Sequence, residues 1–180
     1  SGNDGNDTVD GGTGNDTLYG GLSTVSIAGS GNTLDATAGA LINTSATAAT
    51  QSGTVTMTGA STIGGTGAIT ISGAISGAYP LSFSSAGAIT LSGASTNLEL
   101  GSGSATSLTV SGATAVTVSG ALALSQTSTF TGSSTFTIGA LGSIANTSGN
   151  TIISTARFVN SAGSSALSAS TGYWQVWSSN

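Results

Sequence analysis

Residues 67–74 read GAITISGA and residues 87–94 read GAITLSGA, and these two octapeptides decide the fold. In each, a pair of apolar residues (Ile69 and Ile71, Ile89 and Leu91) brackets a threonine, and glycine followed by alanine closes the run. A period of two sends alternate side chains to opposite faces of an extended strand. The same alternation recurs in Val55 and Met57, Leu81 and Phe83, Leu98 and Leu100, and Leu108 and Val110, then in Val116 and Val118, Leu122 and Leu124, and Phe136 and Ile138. These side chains are expected to share one interior. Thr56, Thr70, Thr90, Thr109 and Thr117 are expected on the exterior, where β-branching still favours extended backbone.

With SLTVSGA at 107–113, the repeat starts lie roughly 20 residues apart, the length of one coil of a parallel β-helix whose coils stack about 4.8 Å apart. About seven such coils fit from Ala36 onward. An antiparallel sandwich would instead call for Asn-Gly or Asp-Gly hairpin turns, and the body has none. No apolar stripe of helical period survives the glycine interruptions. The reading is all-β, a parallel β-solenoid, with Pro80 at a corner where a missing amide donor is tolerable.

The N-terminus follows another period. GNDGNDTVD at 2–10 and GGTGNDTLY at 11–19 form a nonapeptide repeat. The pattern glycine-glycine-x-glycine-x-aspartate-x-apolar-x has a mechanical sense. Glycines permit a tight turn, the aspartate and turn carbonyls face a hard cation, and the apolar residue plugs the interior. Asp16 and Leu18 take these roles in the second repeat, Asp7 and Val9 in the first, and Asp4 and Asp10 are further candidate oxygen ligands.

From Ser1 to Gly21 the chain resembles the repeats-in-toxin family of calcium-binding β-rolls. The resemblance implies a short β-roll-like region at 1–21 ahead of a β-helix at 22–180, with calcium as the cofactor. It also implies that a turn shares its calcium with the repeat two places away. After Gly20 and Gly21 comes Leu22-Ser23-Thr24 without the aspartate, so Asp7 and Asp16 are expected to depend on repeats preceding Ser1. The alternative is solvated Asn/Asp-Gly turns that hold no ion.

Composition narrows function. One Lys+Arg, six Asp+Glu, no His and no Cys give a net charge of −5, and beyond Asp35 only Glu99 and Arg157 are charged. Imidazole bases, thiolates and lysine nucleophiles are missing, and glycoside hydrolysis typically needs a carboxylate pair, so no enzyme is expected. A single arginine cannot neutralise a nucleic-acid backbone. No apolar run reaches the roughly 18 residues of a membrane-spanning helix. Although 29 glycines and many hydroxyls resemble a disordered composition, 37% hydrophobic residues and a mean hydropathy of +0.30 allow a buried core.

The C-terminal ARFVNSAGSSALSASTGYWQVWSSN, residues 156–180, is similar to filamentous-haemagglutinin-like bacterial exoproteins, with Arg157, Phe158, Asn160, Gly163, Leu167, Gly172 and Trp174 as the matching positions. Where that family commonly carries arginine before the tryptophan, this chain has Tyr173. The resemblance implies long right-handed β-helices, an extracellular or cell-surface location and a structural or adhesive role. Self-association end to end into filaments follows if open coil edges pair between chains. The alternative is a binding module for a glycan or an ice surface. The rows Thr54-x-Thr56-x-Thr58 and Thr127-x-Thr129-x-Thr131 point outward, yet they do not recur at constant register along the sequence. Trp174, Val176 and Trp177 are expected to pack over the last coil rather than to form a ligand platform.

Overall fold

The alternating runs become strands, and every pairing between them is parallel. The computed structural model of the chain describes residues 7–13, 17–20, 24–30, 33–36, 40–43, 48–51, 54–57, 60–77 and 79–179, with side-chain burial defined from Leu41 onward. No helix occurs among the described residues. The chain is a parallel β-solenoid, and from Ala40 onward seven strands stack on one of its walls, one per coil, as the spacing of the repeats leads one to expect.

Among the described residues the first turns have two strands each: β1 (Asp7–Thr13) with β2 (Thr17–Gly20), then β3 (Thr24–Ser30) with β4 (Thr33–Ala36). From there each turn has three. β5 (Ala40–Asn43), β6 (Ala49–Gln51) and β7 (Val55–Met57) are followed by β8 (Ser61–Gly65), β9 (Ile69–Ile71) and β10 (Ile75–Ser76). The next strands are β11 (Leu81–Ser85), β12 (Ala88–Leu91) and β13 (Ser95–Ala105), which rounds a corner and serves two walls. β14 (Ser107–Val110), β15 (Ala113–Val118), β16 (Ala121–Leu124) and β17 (Ser128–Ile138) continue the pattern. β18 (Ser143–Asn146), β19 (Thr151–Asn160), β20 (Leu167–Ala169) and β21 (Trp174–Trp177) complete it.

Three walls result. The first carries β1, β3, β5, β8, β11, the end of β13, β16, β18 and β20. The second begins at β6 and runs through β9, β12, β14 and the starts of β17 and β19 to β21. The third holds β2, β4, β7 and β10, then the start of β13, β15 and the ends of β17 and β19. The turns carry the backbone ladder onward: the Ser72 amide donates to the Gln51 carbonyl, and Ser92 to Ile71, both at 2.9 Å.

All of the alternating apolar residues that the sequence assigns to the interior are buried. They stack in columns, such as Ile71, Leu91, Val110, Phe130 and Ile153 on the second wall. On the third, Leu98, Val116, Phe136 and Phe158 follow one another, and the step between neighbours lengthens at each turn. A longer coil encloses a wider interior, and phenylalanine fills it where the steps lengthen. Phe136 stacks on Phe158 with centroids 6.2 Å apart and meets Phe130 edge-on at 5.3 Å.

Two inward serines repair the ladder where strands do not reach. Between β10 and β13, Ser95 Oγ accepts the Ile75 amide at 3.1 Å and donates to the Gly93 carbonyl. Between β14 and β17, Ser128 Oγ accepts the Leu108 amide at 3.0 Å and donates to the Gln126 carbonyl at 3.1 Å. Ser128→Ala strands a buried donor, which costs about 1–3 kcal/mol. Urea unfolding is expected to show a lower midpoint at unchanged slope, whereas Ser134→Ala, at an exposed position, is expected to change little.

Glycine is required where the corners close up. A Cβ on Gly93 would collide with the Gly73 carbonyl oxygen, so successive coils at this corner approach more closely than any side chain permits.

Candidate functional site

Two regions compete for the function: the aspartate-rich N-terminal turns and the outer surface of the second wall. β1 lies on β3 with Asp7 opposite Val25, Thr8 opposite Ser26, Val9 opposite Ile27 and Asp10 opposite Ala28, a step of two nonapeptides. That is the relation the nonapeptide roll needs, because a turn and the repeat two places on then share one side. The second step falls short of two nonapeptides, with Thr17 opposite Thr33, where the repeat pattern has lapsed. Asp7 and Asp10 belong to β1, whereas Asp4 and Asp16 lie outside the described residues.

Residues 1–23 match the family model for the RTX calcium-binding nonapeptide repeat (4 copies). RTX nonapeptide repeats are calcium-binding. The donor chemistry fits: with no His and no Cys in the chain, only hard oxygen ligands are on offer, the class calcium prefers. The backbone register adds one restriction. The position two RTX repeats on from Asp7 is Val25, which brings no carboxylate. No curated protein and no solved structure matches the chain.

In the body, among the described residues, no three Asp, Glu, His or Cys side chains converge. Glu99 and Arg157 stand in different columns of the third wall. Glu99 is in line with Thr117 and Thr137, and Arg157 with Thr135 and Ala115. Arg157 is exposed and Glu99 half-buried, and the structure does not bring them together.

On the second wall Thr50, Thr70, Thr90, Thr109 and Thr129 form one outward column in continuous register, in keeping with the exterior placement of Thr70, Thr90 and Thr109. The column ends in Ile152 and Gln175. The rows through Thr56 and Thr129 do not recur as rows: Thr56 lies between Asp35 and Ser76, and Thr129 and Thr131 are followed by Ile152 and Ser154. The wall departs from the sequence reading at its end, where the C-terminal aromatics do not pack away: Trp174 and Tyr173 are each 52% exposed and Trp177 is 59% exposed, and only Val176 of the group packs against the core.

Proposed function

We propose that this segment is a rod element of a secreted bacterial surface or matrix protein, organised by calcium at its N-terminal turns and structural or adhesive rather than catalytic. RTX repeats occur in secreted bacterial proteins, which supports an extracellular location. One observation carries the reading: the first wall runs from β1 to β20 without a break in its ladder, so the RTX turns and the serine- and threonine-rich body share one continuous rod. In such a rod each coil touches only its neighbours, and length rather than a cleft is the product of the fold. Asp7 and Asp16 are the principal calcium ligands in this reading, with Asp4 and Asp10 beside them. The similarity of residues 156–180 to filamentous-haemagglutinin-like exoproteins supports the same role.

Self-association, as a homo-oligomer or a filament, belongs to the same proposal, because unpaired strand edges of one rod can pair with those of another. Small-angle scattering and light scattering of the purified chain with calcium test both parts. An elongated particle whose mass rises with concentration is expected. A globular scattering profile would overturn the rod, and a monodisperse monomer at high concentration would overturn the self-association.

A second reading, a binding module, is favoured by the regular outward column and the exposed aromatics of the second wall. It is compatible with the rod, because the wall is the side of it.

A further inference from the structure

Three aromatic rings are open on the last turn, but they differ in kind. Trp174 pairs with Thr151 and Val176 with Ile153, both of which are buried. Trp174 and Val176 therefore belong to inward columns, and Trp174 is open along the solenoid axis. A coil stacked on β21 would cover it. Tyr173 and Trp177 have the opposite phase. Trp177 pairs with the exposed Ser154. Tyr173 extends the ladder by one residue, its carbonyl accepting the Thr151 amide at 2.9 Å and its own amide donating to Asn150 Oδ1 at 3.1 Å. Rings of this phase leave the wall sideways, and stacking along the axis leaves them open.

Large aromatics held open on the flank of a flat wall are the feature that marks a contact surface. Their surroundings select the partner. Tyr173 and Trp177 are separated by a nearly extended backbone of about 13 Å, with half-buried Gln175 between them. Half-buried Ile152 lies beneath Gln175, and around it the coils present hydroxyls and an amide, including Ser154, Thr129 and Asn150, with no charged residue in this part of the wall. An anionic or cationic ligand finds no counter-charge here. A lipid surface or apolar peptide needs contiguous apolar area, which Gln175 and the hydroxyls interrupt. A pyranose chain matches both features: each ring has a flat C–H face that stacks on an aromatic and a rim of hydroxyls that pairs with amides and hydroxyls.

We infer that the C-terminal end of the second wall binds a neutral polysaccharide, with Tyr173 and Trp177 as stacking platforms and Gln175 hydrogen-bonding between them. The inference deepens the binding-module reading and rests on it, while the rod stands or falls by its scattering profile.

Depletion isotherms of the calcium-loaded chain on microcrystalline cellulose and colloidal chitin, with affinity electrophoresis in soluble neutral glucan and mannan, form the test. Retention on at least one of the four is expected, unchanged when salt is raised because no ion pair is involved. Tyr173→Ala and Trp177→Ala are each expected to weaken it by roughly tenfold or more, as loss of a central aromatic contact does. Trp177→Phe is expected to retain most of the binding, and Trp174→Ala to change it less than about threefold. Failure to bind any of the four glycans overturns the inference. So does binding that survives the double variant Tyr173→Ala/Trp177→Ala, or binding that salt abolishes. Trp177→Phe guards against misfolding, since a ring that still stacks also keeps the wall intact.

Discussion

Phe136→Ala is expected to destabilise the C-terminal turns by about 3–5 kcal/mol, the usual cost of deleting a fully buried phenylalanine and leaving a cavity. Phe136 is 0% exposed, stacks on Phe158 and meets Phe130 edge-on. The ring therefore joins two successive coils of the third wall to the second wall. Relaxation into the hole is limited, because the backbone ladders of β15, β17 and β19 fix the coil spacing at about 4.8 Å. In a solenoid the damage is local: stability is close to a sum of each coil's own contribution and its contacts with the next. Hydrogen exchange is expected to lose protection chiefly in β17 and β19, with β8 and β9 little affected. A loss below about 1 kcal/mol, too small for a cavity of this size, would mean that the coil collapses around the missing ring. Equal loss of protection at β8 would show that the rod unfolds as one cooperative unit.

The same residues show why the body was legible in the sequence. The apolar members of GAITISGA and GAITLSGA alternate, recur at a nearly constant step and are closed by glycine, so face, strand and coil follow from one pattern. Phe136 entered that pattern as the partner of Ile138, both interior, as observed. Two matters escaped it. The coil step is not constant: it lengthens from the Leu98–Val116 pair through Val116–Phe136 to Phe136–Phe158, and the differences are taken up in turns that carry no periodic signal. The threonine column, whose own step stays nearly constant, was legible member by member as exterior. The fate of Trp174 and Trp177 was not. Their hydrophobicity argues for burial, but phase and position in the stack decide it, and Trp177 falls on the outward phase with Ser154. The RTX repeats were legible as a motif because their glycines and aspartates are specified individually rather than as apolar or polar. The register was legible with it: the repeat that begins at Gly20 lacks its aspartate, and Val25 accordingly stands opposite Asp7.

That register gives the calcium prediction its shape. A ligand that binds only the folded form stabilises it by an amount that grows with concentration, about 2.7 kcal/mol at one hundred times its Kd. Calcium is therefore expected to raise the protection of β1 to β4 in hydrogen exchange, and chelation to remove it. Asp7→Ala and Asp16→Ala are each expected to shift the calcium midpoint upward, and the double variant to abolish the response. Magnesium is expected to substitute poorly, because it demands octahedral geometry and gives up water reluctantly. The gain is also expected to fade along the rod. Among the described residues β3 passes the ladder to β5 through Thr24 opposite Ala40 and Val25 opposite Leu41, whereas the coils from β5 onward share a buried apolar core. Calcium and Phe136 thus act at opposite ends of one ladder, and their effects are expected to add, as they do for sites that share no contact. Should calcium leave the N-terminal strands unchanged, or should Asp7→Ala/Asp16→Ala respond like the parent chain, these aspartates are solvated turn residues and the rod is held by its core alone.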